Sequence, residues 1–295
     1  MNIREPNPPS ASVIIPCRNA AATLKATLEA LLAQTFRGVF EVIIVNNHSQ
    51  DETVAMAQRF QQKFPHCTIV DALQQQGAGY ARNVGVSFAK ADLVLFCDAD
   101  DIPDIRWVAS MTAALGTSEL IGGRTEWKRL NHHQHPFALE AEGKLDVHYM
   151  GVNRIPCVGA GNLGIQRKTF ERLGGFDPEL PVHEDCDLCL RAHECGISVK
   201  QCPEAIMHVR ARAGLLATYR QGCSWGYWSG LLFAKHAKLL GRRSTFKALL
   251  GWPWLLLRLL FIFRQGRATT WAYTAGWKFG QTAYELGIQP SRIGV

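Results

Sequence analysis

The chain has 295 residues, of which 47% are hydrophobic and 19% charged. That composition excludes a disordered, collagen-like or disulfide-scaffold protein, and the length corresponds to one large domain or two small ones. The net charge of +7 is unevenly held: residues 1–208 have 19 bases and 24 acids, whereas Val209–Val295 has 13 bases and the single acid Glu285. An acidic body joined to a basic tail points to a polyanionic partner for the tail. Six of the eight tryptophans also fall in 225–277, so a domain boundary is expected near 209. The nine cysteines lie mostly in apolar runs (Cys17, Cys97, Cys157), as reduced core thiols of a cytoplasmic protein do. The opening MNIREPNPPS has no apolar segment, and no secretory signal is expected.

Ser12–Pro16 (SVIIP) is a β-branched run closed by proline and predicts a buried strand. Ala20–Gln34 follows, with Leu24, Leu28, Leu31 and Leu32 at helical spacing. Phe40–Val45 predicts a second buried strand, Asp51–Phe64 a second amphipathic helix and Thr68–Val70 a short strand. Tyr80–Ala89 then predicts a helix and Asp92–Cys97 another buried strand. This alternation predicts an α/β fold, with a mostly parallel sheet flanked by helices on both faces. Ligands of such sheets bind at the carboxyl ends of the strands, which singles out Pro16–Asn19, Asn46–Ser49 and Asp98–Asp101.

Asp98-Ala99-Asp100-Asp101 places three carboxylates at one strand end. A hard divalent cation bound through oxygens would relieve their repulsion. Alternatively, these acids cap the next helix, where Pro103 suits a first-turn position. Gln76–Gly85 (QGAGYARNVG) opens a helix with glycines, and its amides together with Arg82 suit an anion; a plain loop with a packing glycine at Gly85 is the other reading. Gly159–Gly164 matches G-x-G-x-x-G, but it lies late in the chain and only a short helix follows, so a dinucleotide site is rejected. Close backbone approach to a ligand suits these glycines better. Gly174-Gly175-Phe176-Asp177 leads into His183–Arg191, a helix with an acidic start. Those acids either complement the helix dipole or supply a general base. Cys186 and Cys189 are two cysteines of one helix with no second close pair, which disfavours structural zinc. The histidine-dense Asn131–His135 reads as a polar loop.

In order, SVIIPCRN, VIIVNNHSQDET, GAGYARNVG, LVLFCDADD, GAGNLGIQR, GGFDPELPVHEDCDLCLR and Met207-His208 resemble the family 2 glycosyltransferases of the GT-A fold over about residues 10–210. The resemblance implies an inverting transfer of a sugar from a nucleotide-diphosphate donor, with Mg²⁺ or Mn²⁺ as cofactor. By position, it makes Asp100 the metal ligand and Asp98 a ligand of ribose or metal. It makes Asp185 the general base, with Glu184 in support or in contact with the acceptor. Pro16, Arg18, Asn47 and Arg82 would line the nucleotide pocket, and His208 would stand near the metal and diphosphate; a satisfied core histidine is the alternative for it. The family often has an aspartate within the Asn46-Asn47 pair, to accept from the uracil imide; asparagine both accepts and donates. A UDP-sugar is the first expectation, with guanosine or thymidine donors still open.

The tail 209–295 is expected to be a basic, Trp-rich helical extension. Leu249–Phe263 is 15 residues long and contains Pro253 and Arg258, too short and interrupted for the roughly 20 apolar residues of a membrane span. It suits an interfacial helix, with Arg242, Arg243, Lys247, Arg264 and Arg267 toward anionic head groups and Trp252, Trp254, Trp271 and Trp277 at the boundary. The alternative is a helical subdomain packed on the body, or a dimer interface. The expected setting is cytoplasmic and peripheral at the inner face of a membrane, with an acceptor glycan or lipid-linked sugar. Nucleic-acid binding is not expected, because the tail is largely apolar and has no reader motif. Two rival functions remain. A nucleotidyltransferase should carry a basic glycine-rich loop after its first strand, where this chain has Pro16–Asn19. A non-catalytic nucleotide- or sugar-binding module would not need Asp98, Asp100 and Asp185.

Overall fold

A computed structural model describes residues 8–131, 147–151, 153–241, 252–253, 255–257 and 267–295. The expected alternation is present. Strands β1 (Ala11–Cys17), β2 (Phe40–Asn46), β3 (Cys67–Asp71) and β4 (Leu93–Phe96) alternate with helices α1 (Leu24–Leu32), α2 (Thr53–Gln61) and α3 (Ala78–Ser87). The four strands pair in parallel in the order β3-β2-β1-β4. Their C-terminal ends therefore share one edge.

The second half extends the sheet less regularly. It contains β5 (Ile102–Pro103), α4 (Trp107–Leu115), β6 (Leu120–Glu126), β7 (His148–Met150), β8 (Ile155–Cys157) and β9 (Leu163–Gln166). After these come α5 (Arg167–Arg172), α6 (Glu184–Glu194) and β10 (Lys200–His208). β9 lies antiparallel between β4 and β6, β10 runs parallel to β6, and β5 closes the far edge antiparallel to β10. The eight-stranded sheet is thus mostly parallel with antiparallel pairings in this half, and β7 and β8 form a separate ribbon.

Successive residues of β1 face opposite cores, because side chains alternate along a strand. Val13 and Ile15 pack with Leu24, Leu28 and Leu31 of α1, Phe60 of α2, and Trp107 and Met111 of α4. Ile14 packs on the other face, with Ala81 of α3, Phe170 of α5 and Leu188 of α6. Gly85 is the packing glycine that the sequence allowed: a Cβ there would fall 2.4 Å from Ile14 Cγ2. All nine cysteines are free thiols, and Cys186 and Cys189 are buried on α6.

The C-terminal region contains α7 (Leu215–Lys235), α8 (Ala237–Leu240) and α9 (Arg267–Glu285). Helices α7 and α9 touch backbone to backbone. A Cβ on Gly226 would fall 2.1 Å from the Trp277 carbonyl oxygen, and one on Gly280 would fall 2.0 Å from that of Cys223. Leu232 and Leu240 join the body's core cluster. A buried charge cluster makes the second attachment: Asp187 of α6 accepts from His236 Nε2 at 2.8 Å, Lys235 Nζ at 2.6 Å and Arg191 at 2.8 Å. Burial alone would raise the Asp187 pKa, but the His236 and Lys235 hydrogen bonds and the Arg191 charge overcome it and hold the group at about 2. Among the described residues no helix is long and apolar enough to cross a membrane. The His132–His135 part of the histidine-rich loop, most of Leu249–Phe263 and the side chains of Arg242, Arg243, Lys247, Trp254, Arg258, Arg264 and Arg267 lie outside the description.

Asp187→Asn should lower unfolding stability by about 3 kcal/mol at neutral pH, since it breaks a buried ion pair and strands its cations. A carboxyl depressed in the fold stabilises above its unfolded value, and that contribution fades as pH falls through its folded value. The deficit of the variant, read by urea unfolding, should therefore shrink between about pH 4 and pH 2. A constant deficit across that window would contradict the assignment.

Candidate active site

The turn after β4 carries the acids. Among the described residues, Asp98, Asp100 and Asp101 offer carboxylate oxygens within 4.8 Å of one another. The helix-cap alternative does not hold here: Pro103 lies in β5, and the next helix starts at Trp107. Thr27 of α1 donates its hydroxyl to the carbonyls of Ala99 and Asp101 and fixes the turn from beneath. Desolvation in the cleft and the charge of Asp98 push the Asp100 carboxyl up to about 6, although the residue stays open to solvent. Burial and the same neighbours push Asp101 well above the usual carboxylate range. Such crowded oxygen donors fit a hard divalent cation, whose charge would relieve the repulsion.

Arg82 connects this cluster to the acidic start of α6. Its side chain is 4% exposed, and it donates to Asp98 Oδ1 at 2.6 Å and to Glu184 Oε1 at 2.7 Å. Burial favours the neutral guanidine, but the charges of Asp98 and Glu184 outweigh it and keep Arg82 protonated. Glu184 is also buried. Desolvation and the neighbouring Asp185 push its carboxyl up to about 7, against the pull of Arg82. Asp185 is held differently, by main-chain donors: Oδ2 accepts the Ala160 N–H at 3.0 Å and Oδ1 the Cys186 N–H at 2.7 Å.

The glycines turn out to serve the acids. A Cβ on Gly161 would fall 2.6 Å from Asp98 Oδ2, so the close backbone approach expected at Gly159–Gly164 is to the protein's own carboxylate. A Cβ on Gly79 would fall 3.1 Å from Glu184 Cγ. The Gly77 amide, expected to face an anion, donates to Asn47 Oδ1 at 2.9 Å.

Of the other expected residues, Pro16 sits in β1 opposite Val45, and Arg18 is exposed just beyond that strand. Asn47 is buried, and its amide donates to the carbonyls of Ala72 and Gln75. It therefore holds the 72–77 loop with both ends of its side chain. Asn46 donates to Asp71 Oδ1 at 2.7 Å and accepts from the Ser49 amide at 3.1 Å. His208 lies outside the three-carboxylate group: its Nδ1 pairs with Glu126 Oε2 at 2.7 Å, and its Nε2 is buried 3.9 Å from Asp104 Oδ2.

Three contributors were given no individual role from sequence. Asp101 joins Asp98 and Asp100, and its adjacency to them was the available signal. Arg210 bonds the same turn, with its N–H on Asp101 Oδ1 at 2.9 Å and its Nε on the Asp100 carbonyl at 3.2 Å. Arg212 adds positive potential at Asp100. The signal for both was a pair of arginines directly after a strand-end histidine.

The family model for glycosyl transferase family 2 matches residues 12–171. The chain belongs to glycosyl transferase family 2. Glycosyltransferase AglE of Haloferax volcanii is 27% identical over 65% of this chain and 64% of its own length. The PGL/p-HBAD biosynthesis glycosyltransferase of Mycobacterium bovis is 36% identical over 62% of this chain and 69% of its own length. This family 2 chain spans less than two thirds of AglE, and 54% of the Bacillus subtilis relative YdaM. Its fold is that of the mannosyltransferase PcManGT of Pyrobaculum calidifontis in complex with GDP-Man and Mn²⁺ (TM-score 0.61, 18% identity, 96% of this chain and 75% of that one). It also matches S. aureus TarS 1-349 in complex with UDP-GlcNAc (TM-score 0.55, 16% identity, 94% of this chain and 92% of that one). These are GT-A glycosyltransferases, so the family 2 chain has the GT-A fold that its motifs implied.

Arg82→Met should destabilise the protein by about 3 kcal/mol at pH 8, because it leaves Glu184 as an unpaired buried carboxylate. A carboxyl raised in the fold loses stability as pH climbs from its unfolded value to its folded one, and removing the cation raises it further. The variant's deficit should therefore be smaller at pH 5 than at pH 8 in parallel urea titrations. Equal deficits would mean that Arg82 does not neutralise Glu184.

Proposed function

We propose that the chain transfers a sugar from a nucleotide-diphosphate donor to an acceptor hydroxyl, in a metal-dependent single displacement that inverts the anomeric carbon. One observation carries the reading: a single buried guanidinium joins the acids that end β4 to the Glu184–Asp185 pair that opens α6. Donor-side and acceptor-side chemistry are thereby held within one guanidinium's reach.

Asp98 and Asp100 are the proposed holders of Mg²⁺ or Mn²⁺, with Asp101 beside them. A bound divalent ion supplies charge neutralisation for a leaving diphosphate. Pro16, Arg18 and Asn47 form the proposed nucleotide side, Asn47 by shaping the 72–77 loop. Arg210 and Arg212 bring positive charge to the diphosphate side. Asp185 is the proposed base. Glu184 is spent on Arg82, whereas Asp185 is half-buried and held by main-chain amides that keep it an acceptor. Removing the acceptor proton as the bond forms needs such a fixed carboxylate. His208 is proposed as a neighbour of the diphosphate, steadied by Glu126.

The donor proposed first is a UDP-sugar, and a GDP-sugar is the next; TarS is solved with UDP-GlcNAc and PcManGT with GDP-Man. The proposed acceptor is a glycan or lipid-linked sugar of the cell envelope. Residues 1–208 are the proposed catalytic domain and 209–295 a membrane-contacting helical region, with the protein cytoplasmic and peripheral. Supporting this, Leu215 and Leu216, Leu256 and Leu257, and Leu286 are each more than half exposed in the basic tail.

In melting experiments with UDP or GDP, a rise in Tm with Mn²⁺ that EDTA abolishes is the expected result, and Asp100→Ala should remove it. A ligand at 100 times its Kd adds about 2.7 kcal/mol. Asp185→Asn should keep that rise while losing turnover of the accepted nucleotide-sugar by about 10²- to 10⁴-fold. Wild-type turnover in Asp185→Asn would remove the base assignment. The protein should co-sediment with anionic liposomes at low salt and be released at high salt; absence from the pellet at low salt would rule out the membrane reading.

A further inference from the structure

The first turn of α6 is gripped by the C-terminal helices on both sides of Glu184–Asp185. On one side stands His183, with a left-handed backbone at φ 68°. His183 Nε2–H donates to the Trp225 carbonyl of α7 at 2.9 Å. Its ring meets Trp225 at 5.9 Å and Trp277 of α9 at 6.0 Å between centroids, both edge to face. On the other side, Asp187 is fully buried against Lys235 and His236 at the far end of α7. A non-glycine residue persists in the left-handed region only where its surroundings over-determine it. Here the surroundings are a carbonyl and two indoles, supplied from more than 40 and more than 90 residues downstream.

We propose that His183 is a positioning residue for the general base: through Trp225 and Trp277, the C-terminal helix pair sets the placement of Asp185. The inference rests on the assignment of Asp185 as base. The N-terminal turn of a helix frays most readily, because its first amides have no partner within the helix. Among the first residues of α6, Asp185 is bound through main-chain amides of Ala160 and Cys186, and His183 fixes where those residues start. Glu184, one residue away, must also meet Arg82. Losing the ring contacts frees the turn while the donor-side acids stay in place, because Thr27 and Arg210 hold the Ala99–Asp101 turn and Arg82, anchored on α3, keeps its own bond to Asp98.

His183→Gly tests this, since glycine accepts the left-handed backbone and removes the side chain, and Trp277→Leu, which leaves residue 183 unchanged, separates loss of the ring contact from glycine's added backbone freedom. Trp277→Leu removes the ring's partner from the other side. In the full-length protein, each variant should speed amide hydrogen exchange at least tenfold in peptides covering 183–188, with peptides of β1 and β4 unchanged. Calorimetric affinity for UDP or GDP with Mn²⁺ should stay within twofold, while kcat for nucleoside diphosphate release from UDP-GlcNAc or GDP-mannose falls at least tenfold. The double variant should be no worse than either single one, as expected for residues acting through one contact. His183→Asn, which tolerates the left-handed backbone and keeps a donor, should recover part of the loss. Unchanged exchange at 183–188 would overturn the proposal, as would equal losses of nucleotide affinity and turnover. Wild-type turnover in Asp185→Asn would instead remove the base assignment, while the exchange result would still report whether His183 holds the turn.

Discussion

A buried arginine between two carboxylates sets the terms for the rest of the molecule. Arg82 is 102 residues from Glu184 and 16 from Asp98 in sequence, yet it bonds both at normal charged hydrogen-bond lengths. A buried guanidinium is expensive unless its donors are met and its charge is compensated. Two acids meet one cation here, so the site keeps an excess of negative charge. Desolvation, with the charge of Asp185 beside Glu184 and of Asp98 beside Asp100, raises both above their ordinary pKa values, and the crowded acids at the strand end suit a cation. Small residues make room for the arginine's two acidic partners. Gly79 gives room to Glu184 and Gly161 gives room to Asp98, while Asn83, the next residue along α3, clamps the Phe176 amide and carbonyl. Helix α3 thus ties together the acid turn, the glycine turn before α6 and the start of α6.

The C-terminal region belongs to the same construction. Its charge excess overstates what it offers to solvent, because some of its cations are used internally. Lys235 bonds Asp177 and Asp187, and Arg210 bonds the acid turn. Leu232 and Leu240 sit in the body's core. The glycine-mediated contact of α7 with α9 lets two helices act as one thick post, since no side chains separate their backbones. Among the described residues, what faces outward includes the apolar leucines at the start of α7 and beyond it, together with bases such as Arg220 and Arg292.

The first four strands and three helices were legible because each buried strand is an unbroken apolar run and each helix carries apolar residues at helical spacing. Helix ends came out shorter than the periodicity suggested: Ala20–Gln34 became Leu24–Leu32, because Ala20 and Ala21 use their amides on Thr53 and Asp51 of the neighbouring connection. The antiparallel insertion of β9 between β4 and β6 left no local mark, since a pairing partner is a tertiary property. In the site, residue types were legible but partners were not. Nothing near Asn47 states that its amide will be consumed by the 72–77 loop. Nothing near Gly161 states that Asp98 will press against it, and nothing near His183 states that two tryptophans from the tail will surround it. Sequence shows which residues have chemistry; the distance over which they meet is decided by the sheet.

The two acids at the start of α6 illustrate that difference. From sequence, Glu184 and Asp185 are adjacent carboxylates in a helix's first turn, and the dipole favours both equally. In the fold, one residue of helical rotation separates two environments. Glu184 turns into the protein, loses solvent and is neutralised by Arg82. Asp185 stays half-buried, and its carboxylate oxygens are met by two main-chain amides. A base must keep its electrons available while its orientation is fixed. Amide donors fix a carboxylate's orientation without placing a side-chain cation on it, whereas the Arg82 guanidinium ties Glu184 into an ion pair. The different environments of the two neighbours therefore follow from which face of α6 meets Arg82.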